Sequence, residues 1–579
     1  MALSLAMAIL AFFLVIILVF LVKLYTARSR FLSLQKQNLV SCTLICIYPR
    51  RQLYPSQKAH LLLKPMPPWS YVFGHLLFVA SLLSKLPSDC HPHYIASEAR
   101  RMLPELGPLF YLDMWPFGPQ ILVVTAPDAA FQITQKHSLP KYSALRKFLH
   151  PVTHGLDLLT MEGLPWKTWR TVFSPGFNLG HLMTLVPGLI EDTEVFCDIL
   201  HERATSELLA PLHGSTTNLA MDVIGRVVLD TRLNTQRLQN PLAKALRNQI
   251  PWLNFGDGMN AFRQYNPIRW LICWRNKRIM DQYLSRELDK RYRKKSKGNG
   301  DVPRGSKSIT DLALDTYLNG DTPQGRLDKT FQKFAISQIL LFMFAGHDTT
   351  SSTICYAFYL LSTHPSALSQ LRAEHDAVLG ADPSKAGTLL REDPYLLNQL
   401  PYTLAVVKET LRLFPAASST RSGEPGVFIS ASGQRYPTDG FMVWSLHQAL
   451  HRDPALWDMP DSFRPERWGV PGGAGERKKS EGRSRPPVRD AWRPFEYGPR
   501  NCLGQELAML EIKLVLVMVV RVFDVAEAYA EWDEQHKTNT TRRRADPRRR
   551  EVAGERAYQV NLQHPSEGFP CRVRVHGSP

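Results

Sequence analysis

Paired cysteines are missing. The eight cysteines, at positions 42, 46, 90, 197, 273, 355, 502 and 571, are scattered, and only Cys42 and Cys46 lie close together. That spacing gives no zinc knuckle and no disulfide framework, and it suits a reducing compartment. Also missing is any charged side chain ahead of Lys23: from Ala2 to Val22 every residue except Ser4 is apolar or small. A cleaved signal peptide has a basic start and a shorter apolar core. This run instead has the roughly 20 residues that a helix needs to cross the hydrocarbon core. Lys23, Arg28, Arg30 and Lys36 follow it, which places the rest of the chain on the cytosolic side. The formal net charge is +18, yet no nucleic-acid-binding motif accompanies it. The basic residues fall in separate runs, which fits an anionic membrane surface or an acidic protein partner, and not nucleic acid.

What is present is globular. A hydrophobic share of 44% against 21% charged residues is ample for a large core. Leu39 to Tyr48 is a second apolar patch, too short to span. It is compatible with a segment lying at the membrane interface or with retained intron sequence. Pro65, Pro67 and Pro68 then form a stiff hinge. Leu109–Leu112 and Ile121–Thr125 read as strands, and residues 180–300 read as mostly helical, with apolar periodicity. Two segments, Gly469–Pro487 and Thr540–Arg556, read as flexible insertions rich in basic residues. Tyr558–Val575 reads as a terminal β-hairpin whose turn, His564–Phe569, reaches toward a pocket.

Four motifs carry chemistry. The strongest is Phe495-Glu-Tyr-Gly-Pro-Arg-Asn-Cys-Leu-Gly504, of the form F-x-x-G-x-R-x-C-x-G, which leads directly into an apolar, helix-patterned stretch from Gln505 to Val522. A cysteine where a glycine-rich turn meets a helix start is favoured as a thiolate, because turn N–H groups and the helix N-terminus stabilise the anion. Gly498 suits positive φ, Gly504 lets a flat group approach the backbone, and Arg500 can hold a carboxylate in its fork. The second motif is W-x-x-x-R, which puts Trp166 and Arg170 on one helix face. The third is Ala345-Gly346-His347-Asp348-Thr349-Thr350 inside the apolar stretch Ile336–Leu360. Polar groups there are costly unless partnered; a threonine bonding the carbonyl one turn back, eased by Gly346, widens the helix locally. The fourth joins Glu409 and Arg412, at i and i+3, with the later Pro465-Glu466-Arg467-Trp468.

Together, in this order, these motifs resemble those of the cytochrome P450 family across roughly residues 65–575. The resemblance implies a mainly α fold with a small β region, in a single large domain behind an N-terminal transmembrane helix. Residues 1–24 would be the anchor, 25–70 a linker with the proline-rich hinge, and 71–579 the haem domain. It implies haem b, with Cys502 as the axial thiolate and metal ligand, and with Trp166, Arg170, Arg421 and Arg500 around the propionates; Phe495 and Gly504 complete the cofactor-binding set. Asp348 and Thr349 would relay protons, and Glu409, Arg412 and Arg467 would form a buried structural triad, with Trp468 where the family usually has Phe. The activity implied is that of a monooxygenase oxidising a lipophilic small molecule, as in fungal secondary metabolism. Electrons would come from NADPH through NADPH–cytochrome P450 reductase, possible partners including cytochrome b5, at the endoplasmic reticulum membrane. Two alternatives stand beside this: an isomerase or dehydratase of the same fold that uses no O₂, and a non-catalytic haem-binding membrane protein. The presence of both Asp348 and Thr349 weighs against the first.

Overall fold

The computed structural model describes residues 2–47, 66–253, 266–296, 307–318, 327–469, 488, 490–536, 551–560 and 563–577. Most of the Gly469–Pro487 insertion and the first part of Thr540–Arg556 lie outside these residues, as does the hinge proline Pro65.

The first helix, α1, is Ala2–Ile47. Its stretch Leu10–Leu34 is long and apolar enough to cross a membrane, and the large apolar side chains from Phe12 to Val22 are exposed. The expected change from anchor to linker at residue 24 is not a helix end. The helix continues, and Leu24, Arg28, Phe31 and Leu34 are buried against the body. The reason is a long-range pair. Arg28 is fully buried and bonds the Asp113 carboxylate, while its other N–H groups reach the carbonyls of Tyr71, Val72 and Trp115 at 2.9–3.2 Å. Phe31 packs edge-on against Tyr111 and Phe441. Arg28, one of the basic residues that follow the apolar run, is thus paired inside the body.

Among the described residues, nine strands form three small sheets. In the largest, β1 (Leu109–Asp113) and β2 (Gln120–Val124) are antiparallel. β2 runs parallel to β7 (Met442–Ser445), and β7 runs antiparallel to β4 (Ser419–Ser422). β5 (Phe428–Ala431) and β6 (Gln434–Pro437) make a separate hairpin. The third sheet has the order β3 (Ala210–Pro211), β9 (Pro570–Val575), β8 (Phe523–Glu527). The expected C-terminal hairpin is thus corrected. β9 pairs with β8, and residues 558–566 fold back locally through a Gln559–Pro565 bridge.

Helices make up the rest. Those that frame the site are α2 (Gly163–Phe173), α3 (Leu179–Thr205), α4 (His213–Leu229), α5 (Pro267–Ser296), α6 (Lys329–Thr363), α7 (Pro401–Leu413) and α8 (Gln505–Val519). At 35 residues, α6 is about 50 Å long. Asp328 caps it by accepting from the Phe331 N–H at 2.9 Å, and it is buried along most of its length. The main core joins α3, α4, α6, α7 and α8. Gly346 allows α4 to lie close on α6: a Cβ there would meet Ile224 Cδ1 at 3.1 Å.

Replacing Arg28 by Ala leaves Asp113 buried without its cation, an expected cost of about 3–5 kcal/mol. In detergent-solubilised protein the variant should be cut by trypsin at Arg30 faster than the native chain. Equal cleavage rates would show that the pair does not hold α1 to the body.

Candidate active site

The Cys502 loop is built backward from α8. Gly504 precedes the helix and accepts the Ala508 N–H at 2.9 Å. The Cys502 N–H donates to Phe495 O at 2.9 Å, and Asn501 N–H donates to Gly498 O at 3.1 Å, so the motif closes on itself. Gly498 has φ +87°, and a Cβ there would stand 2.5 Å from Thr134 O; only glycine satisfies both constraints. At Gly504 the nearest atom to a Cβ would be Phe177 Cε1, at 4.0 Å, so the space beside it is open. Cys502 has protein around it, yet its residue surface is accessible. Both hold when the sulfur borders an internal space. Burial pushes the thiol above its ordinary pKa, against the opposing Gly504 N–H, Arg170 and Lys141.

Cationic side chains surround this loop. Trp166 and Arg170, on α2, both turn to it. The Trp166 ring lies 4.6 Å beneath the Arg500 guanidinium, and Arg170 donates to Asn501 O and Oδ1 at 3.0 and 2.7 Å. Arg500 pairs with Glu162 and donates to the carbonyls of Leu159 and Met161. Arg421, on β4, differs. It is fully buried and donates from Nη1 to Leu139 O at 3.1 Å, but its Nε and Nη2 have no partner. Burial lowers its pKa to about 10. A buried guanidinium with two unsatisfied donors is an expensive feature and fits an anionic group at that position.

Sequence reasoning missed Lys141. It bridges Arg421 through the backbone, and its ammonium is held near pKa 7 chiefly by burial, with Arg421 next. No motif marks it, because it sits in an irregular segment. Also missed is the brace behind the loop. Glu496 has positive φ and accepts from Arg493 Nε at 2.9 Å and from His447 Nε2 at 2.5 Å. Burial pushes its pKa up, but His447 and Arg493 outweigh this and hold it at about 2.

On α6, Ala345 is exposed at the middle of an otherwise buried helix. Thr349 Oγ1 donates to Ala345 O at 2.7 Å, the one-turn-back bond expected. The expected widening is absent: α6 is continuous α-helix through the motif, because Gly346 serves the packing of α4 and not a break. Burial raises the Asp348 carboxyl to about 7, so it carries a proton about half the time at neutral pH.

Glu409, Arg412 and Arg467 meet in one buried cluster. Arg412 donates to both Glu409 oxygens at 3.0 and 2.8 Å, and Arg467 Nε donates to Oε1 at 2.8 Å. Trp468 adds an indole N–H to Glu409 Oε2 at 3.1 Å, which phenylalanine could not give. Its substitution by Phe should remove a bond to a buried charge worth about 1.5–3 kcal/mol, read as a lower melting temperature of the haem-loaded protein. An unchanged midpoint would show that the indole N–H contributes nothing.

A soft sulfur ligand at a helix start, a ring of cations beside it and open space above Gly504 can hold a flat, dianionic, metal-bearing group. Comparison with known proteins agrees. The family model described as "Cytochrome P450" matches residues 65–545. The chain is 40% identical over 567 residues to "Cytochrome P450 monooxygenase polC" of Polytolypa hystricis, covering 97% of this chain and 94% of that protein. It is 35% identical to "Cytochrome P450 monooxygenase acrF" of Aspergillus aculeatus, covering 85% and 98%. The crystal structure of a cytochrome P450DA heme domain shares the fold, with a TM-score of 0.64 at 22% identity over 88% of this chain and 97% of that one. The chain belongs to the cytochrome P450 family, as a haem-thiolate monooxygenase.

Proposed function

We propose that this protein is anchored in the endoplasmic reticulum membrane by α1, faces the cytosol and oxidises a lipophilic small molecule in secondary-metabolite biosynthesis. The observation that carries the site assignment is Cys502 at the start of α8, its residue surface exposed while burial disfavours the thiolate, together with the two unpartnered N–H groups of Arg421. When bound, haem supplies reductive activation of O₂ and insertion of one oxygen atom into substrate. Cys502 would hold the metal through its sulfur, in the thiolate form that metal binding requires. Arg421, through its unpartnered Nε and Nη2, would hold a cofactor carboxylate, and Arg170, Arg500 and Lys141 would supply further positive charge; Trp166 stacks under Arg500. Phe495 and Gly504 shape the surface beneath the ring. Thr349 Oγ1, with Asp348, passes protons into the pocket, and the Glu409–Arg412–Arg467 cluster keeps the loop rigid.

Residues 1–24 act as the anchor, 25–70 connect it and 71–579 form the haem domain, with the first part of the connector built into α1. Membrane contact is supported by the apolar residues of Leu10–Val22 and by the exposed Ile268, Trp270, Leu271 and Trp274 on α5. Electrons come from NADPH through NADPH–cytochrome P450 reductase, with cytochrome b5 as a second donor. The net charge of +18 suits an acidic partner face.

Reduced protein treated with carbon monoxide should give the red-shifted Soret band of thiolate-bound haem, and Cys502→Ser should lose it. Haem-loaded, folded native protein without that band would overturn the assignment. Because the Asp348 carboxyl titrates near 7, its protonated fraction falls as pH rises through that value. Product formed per NADPH consumed should fall with it in the native enzyme and stay low and flat in Asp348→Asn. Parallel profiles for the two proteins would remove Asp348 from the proton path.

A further inference from the structure

Asp348 has two neighbours that neither the motif nor the reading above uses. His213 opens α4, and His564 lies in the loop before β9. One ligand atom from each of His213, Asp348 and His564 falls within 4.8 Å of the others. His213 Nε2 stands 3.8 Å from Asp348 Oδ1, beyond hydrogen-bond reach, and this buried nitrogen has no hydrogen-bond partner. The two imidazole rings are 4.4 Å apart and tilted by 37°. The loop itself is held on α6, where Ser352 Oγ donates to Gln563 O at 2.8 Å.

The protonation states favour a cation. Burial lowers His213 to about 3, with His564 and His347 adding to the shift, and lowers His564 to about 4. Both imidazoles are therefore neutral at pH 7, with a lone pair free to ligate. Asp348 exchanges its proton readily near neutrality, so a metal ion can displace it. We propose that His213, Asp348 and His564 form a binding site for a divalent transition ion of the zinc class, and that an ion held there withholds the Asp348 carboxylate from proton transfer.

Two nitrogens and one carboxylate oxygen are a borderline-soft set that takes zinc and leaves a fourth position for water. Tetrahedral ligands at about 2.0–2.1 Å stand about 3.3–3.4 Å apart, so the 3.8 Å gap closes by side-chain rotation. Entry is possible: the side chains of His213 and Asp348 are 19% and 14% exposed. The ion site itself is independent of the enzyme's activity; the withholding of Asp348 rests on the proton role proposed above.

The test uses the haem-loaded full chain in detergent. Titration calorimetry with ZnCl₂ should show one stoichiometric site in the native protein, weakened roughly tenfold or more in His213→Gln and in His564→Gln. Magnesium alone, a hard cation with oxygen preference, should not compete. Zinc K-edge absorption on the native protein should report two imidazoles and an oxygen ligand, and this decides the matter if either variant fails to load haem. Equal zinc affinity in native protein and variants, no stoichiometric site, or a shell of sulfur or water alone overturns the site. With reductase present, zinc should lower product per NADPH in the native enzyme and not in His564→Gln. Zinc bound without that fall overturns the withholding, and the carbon monoxide band separates either result from a failure of the haem-thiolate assignment.

Discussion

Glu409 is the point from which the proximal half of the molecule is tensioned. A fully buried carboxylate is tolerable only when every lone pair is used, and here Arg412, Arg467, Trp468 and the Arg464 backbone all donate to it. Arg412 extends the network by donating to His451 O at 2.8 Å. His451 Nε2 in turn accepts the Arg493 N–H at 2.9 Å, which makes His451 a neutral acceptor, consistent with burial driving its pKa far down. Arg493 binds Glu496, and Glu496 binds His447. From there it is one turn of chain to the Phe495–Cys502 backbone bond. An acid on α7 is thereby linked to the cysteine by a continuous path of bonds to charged or buried groups, each costly to break alone.

That rigidity has a counterpart on the other side of the loop, where the structure is incomplete by its own electrostatics. Arg421 holds two buried donors without acceptors, and the buried thiol of Cys502 is driven toward its neutral form. The unsatisfied donors of Arg421 are costly in the folded chain, and an anionic group beside them would remove that cost. Ligand binding that satisfies the native state and not the unfolded one adds directly to stability. A cofactor that satisfies these groups would add its binding energy to the stability of the folded chain, while the Glu409 network joins α7 to the segment before the Cys502 loop.

The motifs that sequence reading finds are those whose chemistry is local. The Cys502 loop, the Asp348–Thr349 pair and the Glu409/Arg412 spacing each lie within a single turn or helix, and β1 and β2 fall within a residue of the apolar runs Leu109–Leu112 and Ile121–Thr125. What stays hidden depends on partners distant in the chain. Arg28 reads as the positive flank of a membrane span because Asp113 lies 85 positions away. Lys141 carries no motif, and its meaning comes only from Arg421 beside it. Trp468 reads as a loose match to phenylalanine until its indole N–H is seen on Glu409. The expected helix widening at Thr349 fails for the same reason: the glycine is used by Ile224 of a different helix.

The continuous α1 changes what an anchor does. A proline hinge after a short span would leave the catalytic body free to tilt, but here the helix that emerges from the apolar stretch is the same one that buries Phe31 and Leu34 in the β1–β2 core. An α-helix is stiff over such a length, and the Arg28–Asp113 pair sits where bending would otherwise concentrate. The apolar helix is thereby packed against the first sheet. β2 is hydrogen-bonded to β7, and β7 to β4, which carries Arg421. Bonded continuity therefore runs from the apolar helix through the first sheet to Arg421, whose Nε and Nη2 have no protein acceptor.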